Sequence, residues 1–134
     1  MTGDGVINRP PCVFAPALLA HCAVCELARH RDAEVACADP VARAACATLH
    51  GLLRDKCAFA LHRKAEPGAL TRAQSLALQC GGLAGLKQAL APAAHAADVH
   101  KLVRSANERH GSLDALPFAA IVQGVAAWSP RHGR

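Results

Sequence analysis

Two cysteines separated by two residues form the motif whose spacing has the most direct chemical meaning in this sequence. Residues 21–25 read His-Cys-Ala-Val-Cys, so Cys22 and Cys25 would share one side of a helix. Two thiolates placed in this way bind one metal ion or two corners of an iron–sulfur cluster. The pair supplies half of a four-ligand site, so further ligands must come from elsewhere in the chain.

Five cysteines lie in the stretch around this pair, and a four-thiolate site needs four of them. Their spacing is Cys12-x9-Cys22-x2-Cys25-x11-Cys37-x8-Cys46. We predict Cys22, Cys25 and Cys37 as metal ligands, because Cys37 falls in a loop that can reach the pair. The fourth ligand stays open between Cys12, in an extended segment after two prolines, and Cys46, near the inward side of a predicted helix.

The spacing also bears on which metal such a site would hold. Iron and zinc both suit four thiolates. Structural zinc sites commonly combine two close cysteine pairs, whereas a cubane cluster spreads its iron corners and accepts scattered cysteines. The single pair therefore favours a [4Fe-4S] cluster for electron transfer, redox sensing or cluster delivery, with a redox or maturation protein as partner. A zinc-stabilised protein-interaction module is the alternative.

The chain has seven cysteines, and the other two lie in apolar sequence. We expect Cys57 and Cys80 to be small core residues, because free cysteine is often buried. His21 and His30 flank the close cysteine pair, and we expect both to face solvent. Six of the seven cysteines precede residue 66, which places any metal site in the N-terminal half.

Side-chain catalysis has little support in the sequence. The glycines of 81–85 lack the Lys-Ser/Thr of a phosphate-binding loop, and no serine nucleophile elbow occurs. A dithiol-exchange role for the CxxC motif would require a preceding strand of an α/β fold, which the pattern does not show. Glu26, Asp32 and Glu34 are interpreted as solvated charges. We therefore predict that the chain is not an enzyme.

Composition predicts the elements that must position these residues. The 134 residues are 52% hydrophobic and only 3% aromatic, and alanine is the commonest type, which favours helices. We predict an all-α fold, a compact bundle of five or six helices in one domain over residues 1–128, with a Cys-rich metal-site part (12–64), a helical part (69–128) and a basic tail (129–134). The expected helices are Pro16–Arg31, Pro40–Lys64 after an Asp39 cap, Thr71–Cys80 ending at Gly81-Gly82, Leu83–Ala91, Ala94–His110 with Gly111 as its C-terminal cap, and Phe118–Trp128. Along the second of these, we predict an apolar stripe of Val41, Ala45, Leu49, Leu52 and Phe59, with Cys46, Leu53 and Cys57 on its neighbouring flank.

Charge and hydropathy limit the remaining functions. The net charge of +5 and a pI near 9.0 attract polyanions, and residues 70–90 partly match a helix-turn-helix unit with its turn at Gly81-Gly82. A metal-responsive DNA-binding regulator is therefore a further alternative. No apolar run reaches the roughly 18 residues of a membrane span, and no basic segment precedes a long apolar stretch at the N-terminus. We expect a cytoplasmic protein without membrane association.

Overall fold

Helices dominate the computed structural model, which describes residues 10–61 and 70–129. Within these two ranges there are six α-helices: α1 (Ala15–Leu19), α2 (Pro40–Lys56), α3 (Arg72–Leu76), α4 (Gly82–Leu90), α5 (Val99–His110) and α6 (Phe118–Ala127). A hairpin of β1 (Ala28–Arg31) and β2 (Glu34–Cys37) separates α1 from α2. A π-helical turn (Ala77–Gly81) joins α3 to α4, and a 3-10 turn (Leu113–Ala115) precedes α6. None of the described helices has the length and hydropathy needed to cross a bilayer.

The first predicted helix, Pro16–Arg31, is wrong beyond its first turns. After α1, the His21 N–H donates to the Leu18 carbonyl and the Cys22 N–H donates to the Ala17 carbonyl, a Schellman pair of bonds that closes the helix. His21 takes the left-handed conformation that this ending requires, with φ of 62°. Glycine usually occupies that position, and its absence hid the helix end from sequence inspection.

The hairpin makes the all-α prediction wrong in its detail, although most of the fold is helical. Ala28 pairs with Cys37 and Arg31 pairs with Glu34 in an antiparallel register. The chain before α1 extends this sheet, because the Cys12 N–H donates to the Val35 carbonyl at 2.8 Å and the Cys37 N–H donates to the Pro10 carbonyl at 3.0 Å. Strand β2 therefore pairs with β1 along one edge and with the segment before α1 along the other. The second pairing joins residues that are distant in the sequence, so no local pattern indicates it.

Helix α2 begins as the Asp39-Pro40 signal predicts. The Asp39 carboxylate accepts the Val41 N–H at 2.9 Å, which confirms the N-cap. The helix ends at Lys56 and not at Lys64, and residues 62–69 lie outside the described part of the chain. Its buried residues also differ from the predicted stripe, which comprised Val41, Ala45, Leu49, Leu52 and Phe59.

The buried ridge of α2 runs through Leu49, Leu53 and the following Cys57, at successive four-residue steps. Val41 is 78% exposed and Phe59 is 94% exposed, so both were wrongly assigned to the core. The reason is positional, since Val41 lies in the first turn and Phe59 lies beyond the last residue of the helix.

Helices α3 and α4 continue through the π-helical turn without a break. Thr71 caps α3 with a complete capping box to Gln74, which confirms the predicted start. The predicted stop at Gly81-Gly82 is wrong, because both glycines keep helical geometry. The helix-turn-helix unit expected there is consequently not formed, and the nucleic-acid alternative is left with net charge alone.

The C-terminal helices close the core around α4. Gly111 ends α5 in the left-handed conformation with φ of 76°, as predicted, while α5 starts at Val99 under an Asp98 cap and not at Ala94. Helix α6 packs along α4, and its Ile121 and Val125 join one apolar cluster with Phe14 and Leu49. Residues 130–134 of the predicted basic tail lie outside the described range.

Candidate metal centre

Four cysteines from four different segments line one small enclosed cavity. These are Cys12 before α1, Cys25 in the loop after α1, Cys37 at the end of β2 and Cys46 in α2. We call this cavity the four-cysteine pocket. The remaining wall is mostly aliphatic and consists of Val13, Leu27, Ala28, Ala42 and Val99, together with Arg43 and His100.

The sheet positions two of the four thiols. Cys12 and Cys37 lie on neighbouring chain segments of the extended hairpin, fixed by the backbone hydrogen bonds given above. Burial raises the pKa of Cys12, and the backbone N–H of Phe14 opposes this effect. The Cys37 thiol donates to the Asp39 carbonyl at 3.2 Å. Metal ligation would require this thiol to lose its proton and to turn away from that carbonyl.

Cys25 lies against the N-terminus of α5. Val24 forms a parallel bridge with Asp98, the N-cap residue of this helix. The Val24 N–H donates to the Ala97 carbonyl and the Val99 N–H donates to the Val24 carbonyl, both at 2.8 Å. Burial raises the pKa of Cys25, and the backbone N–H groups of Leu27 and His100 oppose this effect. The His100 N–H belongs to the first turn of α5, whose N–H groups have no partner within the helix, so a negatively charged sulfur is stabilised there.

Cys46 completes the pocket from α2, and Arg43 lies one turn before it. The Arg43 Nε donates to the Pro11 carbonyl at 2.7 Å, which ties α2 to the segment that carries Cys12. Its positive charge partly offsets the burial that raises the pKa of both Cys12 and Cys46. Arg43 is thus the cationic side chain placed to offset negative charge on the four sulfurs.

Burial nevertheless dominates the acidity of these thiols. Burial, and then repulsion from the ionised forms of Cys25, Cys12 and Cys37, raises the pKa of Cys46 to about 12. Burial also raises the pKa of Cys12 and of Cys25. These three thiols stay protonated unless a cation compensates their charge. A bound metal supplies that compensation, because metal binding displaces the thiol protons.

The cavity between the sulfurs is small, with a volume of about 20 Å³, enough for one water-sized body. Within residues 10–61 and 70–129, however, no three cysteine, histidine or carboxylate side chains are gathered closely enough to hold one metal ion.

Cys22 lies outside the four-cysteine pocket, close enough to Cys80 to influence the ionisation of that thiol. The expectation that Cys22 and Cys25 face one site assumed that both lie on one helix. Helix α1 ends at Leu19, before either cysteine. The structure thus brings together three predicted ligand candidates with Cys25: Cys12, Cys37 and Cys46. Both candidates for the fourth ligand are present, and Cys22 is the one that is displaced.

The two cysteines expected in the core are buried there, with Cys57 fully covered and Cys80 3% exposed. His21 and His30 are exposed, as expected. Glu26, which was interpreted as a solvated charge, has a partner, because its carboxylate lies 2.6 Å from the His100 Nδ1. The hydrogen bond from His100 holds the pKa of the Glu26 carboxyl below its usual value.

Sequence inspection missed Gln79, the buried polar side chain of the core. Its Oε1 accepts the Ala17 N–H at 3.2 Å, and its Nε2 donates to the Val13 carbonyl at 3.1 Å. The π-helical turn directs this side chain inward, and so holds the chain on both sides of Phe14. Arg43 and the His100 N–H were also missed, because both reach the pocket through tertiary packing.

Comparisons with known proteins give no relative from which a function could be carried over. No protein-family model matches the chain, and no curated protein or solved structure is significantly similar to it.

Proposed function

We propose that this chain is a small cytoplasmic metal-binding protein that holds a [4Fe-4S] cluster through Cys12, Cys25, Cys37 and Cys46. The observation that carries the proposal is the convergence of these four cysteines, from four separate segments, on one enclosed pocket. Cysteine thiolates are the usual ligands of such clusters.

A cluster and a single ion place different demands on the sulfurs. Four sulfurs bound to one zinc at about 2.3 Å would lie about 3.8 Å from one another. No three of the described side chains are gathered so as to hold one metal ion, so the thiols would have to move to bind either group. A cubane places its iron atoms at separate corners, so its ligands stand further apart around a common centre.

The backbone N–H groups near the sulfurs support a redox role. Those of Phe14, Leu27 and His100 act on Cys12 and Cys25 against the pKa increase that burial causes, and N–H groups at such positions tune the reduction potential of a cluster. Four protein thiolates would occupy every iron corner, which leaves no open position for a substrate. Electron transfer or redox sensing with a protein partner fits this arrangement better than catalysis, and cluster delivery is the third possible use.

The small volume of the pocket favours a second candidate, a zinc-stabilised protein-interaction module. A cavity of about 20 Å³ holds one ion-sized body, whereas a cluster requires the four thiols to move outward. The Cys37 thiol now donates to the Asp39 carbonyl and would have to rotate away from it to bind a metal. The two candidates differ in iron and sulfide content.

Alanine substitution of single cysteines tests the ligand set. Replacing Cys12, Cys25, Cys37 or Cys46 should each remove most of the bound iron and sulfide from anaerobically prepared protein, because a missing ligand costs a cluster corner. Cys57→Ala is the matched control for a buried cysteine outside the pocket and should retain the metal.

Cys22→Ala separates this ligand set from the one that sequence spacing alone predicts. We expect this variant to keep its iron and sulfide, because Cys22 lies outside the four-cysteine pocket. Loss of metal in Cys22→Ala, with retention in Cys12→Ala or Cys46→Ala, would contradict the proposed site.

A further inference from the structure

An open groove runs along the outside of the molecule between α4 and α6, on residues that take no part in the four-cysteine pocket. Its volume is about 560 Å³. The wall consists of alanines and glycines from both helices, two glutamines (Gln88 and Gln123) and, directly after α6, Trp128. None of the described residues that line the groove carries a charge.

The groove exists because the side chains along this seam are small. The two helices approach so closely that a Cβ added at Gly85 would lie 2.9 Å from the Ile121 Cα. Ala84 and Ala120 flank this contact and are both exposed, and neither has a side chain long enough to cover the seam. An apolar depression is therefore left open to solvent.

The outer face of α6 lacks the charged side chains that a surface helix normally presents to water. Its residues, Phe118–Ala127, include no Lys, Arg, Asp or Glu, and its exposed positions are four alanines and Gln123. Helix α5 instead exposes Lys101, Arg104 and Glu108. A contiguous apolar face of this kind on a soluble domain marks an interaction surface.

We propose that two copies of the chain associate through this face, in a twofold dimer in which each copy sets Trp128 into the groove of the other. Each copy has a net charge of +5, so most pairs of facing surfaces bring like charges together. The groove face meets its own copy without that repulsion. A twofold axis joins the same patch on both copies, so this patch must supply both a projection and a recess. Trp128 is the largest side chain on the face and is only half-buried, and tryptophan is enriched among the residues that dominate binding energy at interfaces.

The size of the face sets the strength of the association. Helices of 9 and 10 residues are about 15 Å long, and two of them side by side span about 20 Å. A face of these dimensions is smaller than the roughly 800 Å² per partner that a standard stable interface buries. The dimer should therefore dissociate on dilution, with a dissociation constant in the micromolar range.

Sedimentation equilibrium of the full-length protein, combined with its tryptophan emission, tests this arrangement. Trp128 is the single tryptophan and the chain has no tyrosine, so the emission reports on the groove alone. Between about 1 and 500 µM, we expect the mass to rise from 13.9 kDa toward twice that value. The emission maximum should move to shorter wavelength over the same range, because the indole ring leaves water when the dimer forms.

Substitutions locate the interface. Ala120→Arg should abolish both changes, because it places a charge of the same sign in the groove of each copy, at a position that is exposed in the single chain. Ala47→Arg, at an exposed position of α2, is the matched control and should leave the dimer intact. Trp128→Ala should weaken the association at least about tenfold in sedimentation.

Three results would overturn the proposal. The first is a mass of one chain at every concentration of the unsubstituted protein, and the second is a dimer that persists in Ala120→Arg, since its interface would then lie elsewhere. The third is a short-wavelength emission that does not change with concentration, because a segment of the same chain would then cover the groove. The groove and the four-cysteine pocket share no residue, so these results do not depend on whether the protein holds a metal.

Discussion

Arg43 is the residue through which charge most directly reaches the four-cysteine pocket. Its guanidinium lies at the pocket wall, and its positive charge partly offsets the burial that raises the pKa of Cys12 and Cys46. A reduced cluster carries one more negative charge than an oxidised one, so the same field favours reduction.

We expect Arg43→Gln to make the reduction potential of the bound cluster more negative, on the order of tens of millivolts. Arg43→Lys should restore most of that loss, because lysine keeps the charge. Arg72→Gln on the exposed side of α3 is the control and should leave the potential unchanged. A redox titration monitored by visible absorbance measures these values, and equal potentials in Arg43→Gln and the unsubstituted protein would rule out the charge effect.

His50 carries a different prediction at the same scale. Its ring meets Phe14 edge-on at 5.8 Å, and its Nε2 is buried without a hydrogen-bond partner among the described residues. Burial, and then the charge of Arg54, lower the pKa of His50. The neutral ring is therefore the form that the folded chain accommodates.

Stability should consequently fall as the pH drops below about 6.5, where an unfolded histidine begins to take up a proton that the folded one resists. The contribution is complete above that pH and is lost through the lower pKa of the folded state. His50→Leu should reduce the difference in melting temperature between pH 7.5 and pH 5.5, whereas His95→Gln at an exposed position should not. Equal pH dependence in His50→Leu and the unsubstituted protein would contradict this account.

At the scale of elements, the glycines of α4 and α6 serve packing and do not end helices. A Cβ added at Gly124 would lie 2.5 Å from the Gly81 carbonyl oxygen and 3.0 Å from the Gly85 backbone. The two helix backbones touch there, which only a residue without a side chain allows. The same feature explains why Gly81-Gly82 misled the sequence-based prediction of a turn.

Gly124→Ala should destabilise the fold by about 1–3 kcal/mol, because the two backbones must separate to admit a methyl group. Gly51→Ala in α2 is the matched control, since a Cβ there meets nothing within 4 Å. This control should stabilise the protein by about 1 kcal/mol through helix propensity. Denaturant unfolding measures both, and destabilisation of equal size in the two variants would show that the close approach is unimportant.

At the scale of the whole molecule, the features that the sequence predicts correctly are helix ends, where one residue interacts with the backbone of its own turn. Asp39, Thr71 and Gly111 mark two helix starts and one helix end, and the structure confirms all three. These features depend on interactions within one turn, which the sequence displays directly.

The features that the sequence did not reveal depend on contacts between distant segments. Histidine replaces glycine at the end of α1, so the expected helix through Cys25 has no visible stop. The pairing of Pro10–Cys12 with β2 then brings Cys12 to Cys37 and leaves Cys22 beside Cys80. Spacing identified five candidate ligands, but only tertiary structure could decide which four share a pocket.

A bound cluster would join the four segments that carry Cys12, Cys25, Cys37 and Cys46. The most direct test of this account is iron, zinc and sulfide analysis, with a visible spectrum, of full-length protein prepared without oxygen. We predict a brown protein with about four iron and four sulfide per chain. Colourless protein, whether it holds one zinc or no metal, would contradict the cluster.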